Sequence, residues 1–255
     1  MKRFLFSLLL TAATLPMAQS VLAQQDPSEA PATRPTNPVS APQKLIFVPD
    51  SLKPYDLNDD NARWCWRHSA QTQNIVYFWE KPFGDNTQNP PSLDGQSMKF
   101  DLGNLQTQVE RFYHFFRDTL KFSLPGSICD KYKMMVMVNY SLEGTAYGGT
   151  YDDFIGALWV TPNRIQDKKL NCLAHELGHS FQLQIMADRA GEAWGGSGFF
   201  EMTSQWMLWR VNPDWITDEK YHFDAFKQLT HKGYLHLDNI YHSPYVIEWW
   251  AEKHG

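Results

Sequence analysis

Apolar and polar residues alternate along the chain with two different periods, and these periods predict its main elements. Short apolar runs bounded by Gly, Pro, Asn or Asp predict β-strands at residues 75–79, 134–140 and 155–160. Between the first two runs, apolar residues recur every three or four positions behind Asp101, which predicts an amphipathic helix with Asp101 as its N-cap. The apolar residues of this helix are Leu102, Leu105, Val109, Phe112, Phe116 and Leu120.

The second half of the chain predicts mainly helices. Apolar residues on one face predict a helix at 167–186, and a glycine-rich segment at 191–198 follows it. The next helix is predicted at 199–211, where Asn212-Pro213 ends it, and residues 245–253 also have a helical pattern. Because strands lead into packed helices without a regular βαβ alternation, the predicted fold class is α+β.

The N-terminus has the pattern of an exported protein. Residues 1–23 combine a basic start, a short apolar run and small residues at the cleavage position, which predicts a signal peptide and a secreted or periplasmic location. Residues 24–43 are rich in Pro, Ala, Ser and Thr and predict a disordered tether, so the folded domain is expected at 44–255. No later run is long and apolar enough for a membrane span, and the net charge of -5 argues against nucleic-acid binding.

One motif carries the candidate chemistry, the run His175-Glu176-Leu177-Gly178-His179. Residues four apart lie on the same helical face, so His175 and His179 can place two imidazole nitrogens on one metal ion. Glu176 lies beside them, where its carboxylate can take a proton from a water molecule without binding the metal. The sequence therefore predicts a catalytic zinc site with Glu176 as its general base.

A catalytic zinc ion takes three protein ligands and keeps one position open, so a third ligand is expected downstream. Gln182 and Ile185 occupy the places where one known scheme has Gly and His, which excludes that scheme. We select Glu201, because it lies in the first turn of the next predicted helix, which Phe199 and Phe200 would seat in the core. The acidic candidates considered are Asp188, Glu192 and Glu201.

The metal motif, followed by Phe200-Glu201-Met202-Thr203-Ser204, resembles the gluzincin branch of the zincin metallopeptidases. It is also similar to secreted bacterial families with the same HELGH run and, more distantly, to enhancin-like mucin-directed peptidases. The resemblance implies a small mixed or antiparallel sheet packed on a backing helix, with an active-site helix and a following glutamate helix. The sequence departs from the gluzincin signature at Gln205, where an aspartate orients a ligating histidine. The glutamine amide could accept the same ring N–H.

The zincin resemblance also implies where substrate lies. The strand before the metal helix, residues 155–160, is expected at the edge of the cleft, where an extended peptide can pair with it. A donor to the developing oxyanion is required as well, and Tyr245 is selected from three candidates. Those candidates are Tyr241, His242 and Tyr245. Most of the ten tryptophans are expected to pack in the core, and Trp194 is expected to contact substrate.

The expected function is a zinc-dependent peptidase that acts on a peptide, protein or glycoprotein substrate. Two alternatives stay open: a glycan- or protein-binding module with a non-catalytic metal site, and a zinc hydrolase that acts on a non-peptide bond. The three cysteines would allow one disulfide, with the pairing and the oligomeric state left open. Cys172 lies one turn before His175 and is interpreted as a packing or disulfide residue instead of a ligand.

Overall fold

Three parallel strands form the centre of a five-stranded mixed sheet in the computed structural model, which describes residues 43–191 and 197–254. The predicted signal peptide at 1–23 and all of the predicted tether except Gln43 lie outside the described residues. The strand order is β1-β2-β3-β5-β4, and β1 and β4 run antiparallel to their neighbours. The strands are β1 (Ser69–Gln71), β2 (Ile75–Trp79), β3 (Met134–Val138), β4 (Ala146–Tyr151) and β5 (Ile155–Val160).

Burial follows the position of each strand in the sheet. Every residue of β2 and β3 is buried, which explains why both strands are continuous apolar runs instead of alternating ones. β5 pairs with β3 on one side and β4 on the other, and only Trp159 of its six residues is partly exposed. The predicted bounds of β2 and β5 are confirmed, and β3 ends two residues before its predicted end.

The prediction that residues 155–160 form the edge of the cleft is wrong, because these residues form β5, an inner strand of the sheet. The edge position belongs to β4, which pairs only with β5 among the described residues. A tight connection makes this pairing possible: Asp152 and Asp153 both adopt the left-handed conformation, with φ of 52° and 49°. The helix with the metal motif packs on both strands, and β4 forms the edge of the sheet beside it.

The first long helix, α1 (Leu102–His114), agrees with its predicted pattern. The Asp101 side chain accepts a hydrogen bond from the Asn104 amide at 2.9 Å, so it caps the helix as expected. Its buried face includes Leu105, Val109 and Phe112, and a π-helical turn at Phe115–Thr119 continues the helix. The predicted apolar stripe thus extends beyond α1 into this turn.

Two helices carry the candidate site, α3 (Asn171–Ala187) and α4 (Ser197–Val211). α3 begins four residues later than predicted, because the buried Leu170 adopts the left-handed conformation with φ of 50° and interrupts the helix there. α3 packs against β4, β5 and α4. The remaining helices are α2 (Ile128–Lys131), α5 (Trp215–Asp218), α6 (Tyr221–Gln228) and α7 (Pro244–His254).

The described residues thus form a mixed α+β fold with a five-stranded mixed sheet and seven α-helices. Among them, every helix is too short or too polar to serve as a membrane span. All three cysteines are free thiols, so the disulfide considered from the sequence is not formed. Cys65 and Cys129 are buried, whereas Cys172 is partly exposed.

Candidate metal centre

The two motif histidines point at the same place from one face of α3. His175 and His179 lie one helical turn apart, and their Nε2 atoms are separated by 3.1 Å. Both side chains are largely buried, with 9% and 12% of their surface exposed. The helix therefore preorganises the pair without help from any other element.

Glu201 completes the group from α4. Its Oε2 atom lies 3.0 Å from Nε2 of His175 and 3.2 Å from Nε2 of His179. The structure thus brings together the three residues predicted as ligands, and within the described residues it forms one such group of three or more potential metal ligands. Asp188, a rejected candidate, instead accepts the Ile128 amide at 2.9 Å, and Glu192 lies outside the described residues.

The spacing of the three atoms fits a tetrahedral zinc ion. Ligand atoms about 2.0–2.2 Å from such an ion lie roughly 3.3–3.6 Å from one another, slightly more than the 3.0–3.2 Å observed. At this spacing the lone pairs of two imidazole nitrogens and one carboxylate oxygen point at one place and repel each other. A cation bound there would remove this repulsion. The chemistry of the donor set, two nitrogens and one oxygen, also suits zinc.

The charges of Glu201 and the two histidines stabilise each other. Burial alone would raise the pKa of Glu201, but hydrogen bonds and charge from His175 and His179 hold that pKa well below its usual range. Burial alone would lower the pKa of His179, but the hydrogen bond and charge of Glu201, with smaller contributions from Gln182 and Glu176, together outweigh burial and raise that pKa. The site therefore favours an ionised Glu201, the form that binds a metal ion.

The Nδ1 atoms of the two histidines, which point away from the candidate metal position, differ in their hydrogen bonding. Gln182, one turn along α3, accepts a hydrogen bond from Nδ1 of His179 at 2.9 Å and donates to the Phe200 carbonyl at 3.0 Å. Nδ1 of His175 is buried and has no hydrogen-bond partner among the described residues. Gln182 is thus the residue that orients a candidate ligand, a role that the sequence analysis did not assign to it.

Gln205 does not take the orienting role considered for it. Its Nε2 atom donates to the Tyr241 carbonyl at 3.3 Å and lies 3.5 Å from Nε2 of His222. His222 in turn shares a hydrogen bond of 2.7 Å with His242. Gln205 therefore connects α4 to a second polar cluster in the same cavity, and it has no contact with His175 or His179 among its hydrogen bonds.

Glu176, the predicted general base, is held by the edge strand. The Gly148 amide donates to Oε2 of Glu176 at 2.9 Å, and burial raises the pKa of this carboxyl group. A Cβ atom at position 148 would lie 1.7 Å from the Glu176 carbonyl oxygen, so only glycine fits. The Gly148-Gly149 pair inside a strand is the sequence signal for this close approach, and the sequence analysis missed it.

Tyr245, the predicted oxyanion donor, is placed away from the metal ligands. Its ring packs against Trp209, Phe223 and Phe226, and it does not line the cavity above the ligands. The reason is that Tyr245 lies inside α7, which packs on α4. The choice of Tyr245 among the three candidates is therefore corrected.

Tyr241 occupies the position that Tyr245 was expected to take. It precedes α7, its ring centroid lies 6.0 Å from that of His175, and its hydroxyl is close enough to Glu201 to feel the charge of that carboxylate. Burial, with the charge of Glu201 as a smaller contribution, raises the pKa of Tyr241 to about 12, so the hydroxyl keeps its proton at neutral pH. Tyr241 is therefore a proton-bearing donor at the edge of the candidate site.

A cavity of about 920 Å³ gives access to this group. Residues of β4, α3, α4 and the segment before α7 line it, including both histidines, Glu176, Glu201 and Tyr241. None of the described tryptophans lines the cavity, and Trp194 lies outside the described residues. The three candidate ligands thus face a space large enough for part of a polymeric substrate.

Replacement of Glu201 by alanine should remove the third ligand and abolish stoichiometric zinc binding, because two histidines alone do not complete a zinc site. Zinc per chain is measured by elemental mass spectrometry after dialysis. Glu252→Ala, at an exposed position in α7, is the matched control and should keep the zinc content of the parent. Full zinc in Glu201→Ala would contradict the assignment.

Gln182→Leu should lower zinc affinity roughly 10–100-fold, since it removes the acceptor that orients His179. Gln205→Leu serves as the control, because Gln205 has no hydrogen bond to either histidine, and it should leave the affinity unchanged. Competition with a chromogenic chelator measures both affinities. If Gln205→Leu bound zinc more weakly than Gln182→Leu, Gln205 and not Gln182 would be the residue that orients a ligating histidine.

Comparison with known proteins places the chain in a family whose function is unknown. No curated protein and no solved structure is significantly similar to it. A family profile with the description "Family of unknown function (DUF6055)" matches residues 38–255. Because this match covers the candidate metal centre and most of the chain, the protein belongs to the DUF6055 family.

Proposed function

We propose that the protein is a zinc-dependent peptidase with a zincin-like arrangement, exported from the cell that makes it. One observation carries the proposal: His175, His179 and Glu201 converge at metal-ligand spacing, and a fourth residue, Glu176, is held beside them without joining the group. A structural zinc site normally closes its fourth position with a protein ligand. Here the described residues offer three ligands and an open cavity, which supports a catalytic site.

The chain's own residues supply the groups that peptide hydrolysis requires. Bound zinc would lower the pKa of a water molecule to about 7 and polarise the substrate carbonyl. Glu176 can accept a proton from a water molecule in the cavity, and burial, which raises the pKa of its carboxyl group, suits it to donate that proton to the leaving amine. The hydrogen bond from the Gly148 amide holds the Glu176 carboxylate in a fixed orientation during this proton transfer.

Tyr241 supplies the hydrogen bond that the tetrahedral intermediate requires. Its hydroxyl retains its proton and lies beside Glu201, within the same cavity as Glu176. A hydroxyl at this position can donate to the oxyanion as negative charge develops on the substrate oxygen. This assignment replaces Tyr245.

The edge strand supports a peptide as the substrate. Among the described residues β4 pairs with β5 on one side only, so apart from the Gly148 amide, which donates to Glu176, its outer edge can receive an extended chain as an added strand. Ala146, Tyr147 and Gly148 of β4 line the cavity, and Gly148 also holds Glu176. A peptide paired with β4 would therefore pass directly over the base and the metal ligands.

The Glu176→Gln variant should keep its zinc and lose roughly 10²–10⁴-fold in hydrolysis rate, because the amide cannot accept the proton of water. Cleavage of a complex peptide mixture, followed by mass spectrometry, measures the activity, and elemental analysis measures the zinc. Glu252→Gln is the control for loss of one carboxylate. Equal activity of Glu176→Gln and the parent would refute the catalytic assignment, and cleavage of only non-peptide bonds would favour another hydrolase class.

Tyr241→Phe should lower kcat about 10²-fold or more, with little change in KM, because the hydroxyl acts on the transition state. Tyr245→Phe is its control, since Tyr245 packs against other aromatic rings outside the cavity. Steady-state kinetics on one peptide identified from the mixture gives both values. If Tyr245→Phe were the slower variant, the reassignment to Tyr241 would be incorrect.

A further inference from the structure

The cavity has a second charged end, at the start of α3. Arg164 lies in the 3-10 turn Pro162–Arg164 that follows β5, and it lines the cavity. Its Nε atom donates to the Gly144 carbonyl at 2.6 Å, in the segment that leads into β4. This bond fixes the base of the guanidinium group, and it leaves the two terminal nitrogens without a hydrogen-bond partner among the described residues.

The positive charge of Arg164 is not compensated. No carboxylate in the described parts of the chain forms an ion pair with it, whereas four of the six other described arginines have such a partner. Glu219, the carboxylate that also faces this end, accepts a hydrogen bond from Asn171 at 2.9 Å and one from Tyr221 at 3.4 Å. Its oxygens are thus already engaged, and Arg164 is free to bind an external anion.

Arg164 lies within reach of a substrate bound at the metal centre. Its charge acts on the thiol of Cys172, which precedes His175 by three residues and so by about 4.5 Å along α3. Its partner Gly144 lies two residues before β4 begins, so Arg164 is anchored next to the strand whose Gly148 holds Glu176. A peptide that pairs with β4 and reacts beside Gly148 would therefore extend toward Arg164, which lines the same cavity.

We propose that Arg164 is a specificity-determining residue that binds a carboxylate of the substrate, so that the enzyme prefers acidic peptides. A guanidinium group with free terminal nitrogens matches a carboxylate with two parallel hydrogen bonds. The carboxylate belongs to an Asp or Glu side chain or to the C-terminus of a short peptide, since both have the same chemistry. This inference rests on the proposed peptidase function, but its binding step can be measured without turnover.

The test uses zinc-loaded, full-length Glu176→Gln protein as a slow enzyme that still binds peptides. Fluorescent hexapeptides carry Glu or Gln at each position in turn, with a free or an amidated C-terminus, and anisotropy measures their Kd. One Glu-containing peptide, or the free-acid form, should bind roughly tenfold or more tightly than its neutral counterpart, as expected for a charge-assisted pair. The two arms distinguish a side-chain carboxylate from a terminal one.

Substitutions of Arg164 then identify its contribution. Arg164→Gln should abolish the preference for the acidic peptide, and Arg164→Glu should reverse it in favour of a lysine-containing peptide. Lys168→Gln removes one positive charge from a nearby exposed residue outside this cavity and should preserve the preference. Equal Kd values for acidic and neutral peptides, an unchanged preference in Arg164→Gln, or no peptide binding at all would overturn the inference. Peptide cleavage by the zinc-loaded parent without acidic preference would overturn it while the peptidase proposal stands.

Discussion

The contact between Gly178 of α3 and Ser204 of α4 determines how closely the two site helices approach, and the geometry of the metal centre depends on that approach. A Cβ atom at position 178 would lie 2.4 Å from the Ser204 Oγ atom, so a larger residue would separate the helices. The Ser204 hydroxyl also donates to the carbonyl of His175. Glu201 precedes Ser204 by one helical turn and therefore faces the two histidines from the same side of α4.

The spacing of apolar and polar residues was sufficient to predict the features that depend only on residues close together in sequence. The bounds of β2 and β5, the cap at Asp101 and the convergence of His175 with His179 all follow from residues near each other in sequence. β4 was missed because Gly148-Gly149 interrupts any apolar alternation, and Gly148 is explained only by the backbone of α3, which lies directly against it. The position of β5 inside the sheet, likewise, depends on a strand that the pattern did not reveal.

The partners of the candidate ligands could not be predicted for a related reason. Gln182 lies one turn from His179 on α3, and its bond to the Phe200 carbonyl of α4 fixes its amide, whereas Gln205 of α4 faces Tyr241 and His222 instead of a candidate ligand. Tyr241 and Tyr245 are four residues apart, but the first precedes α7 whereas the second lies inside it. Their side chains therefore face the cavity and an aromatic cluster respectively, a difference that sequence spacing does not contain.

Electrostatics divides the cavity into two parts that β4 connects. Glu176 and Glu201 lie together at one part, and partial burial makes two neighbouring carboxylates unfavourable unless a cation accompanies them. Arg164 provides the opposite charge at the other part, where its Nε atom donates to the Gly144 carbonyl just before β4. The Gly148 amide of β4 in turn donates to Glu176, so the edge strand and the segment that leads into it contact both parts of the cavity. Any change in the register of β4 against β5 would move both contacts together, so under the proposed function catalysis and selectivity would depend on one structural element.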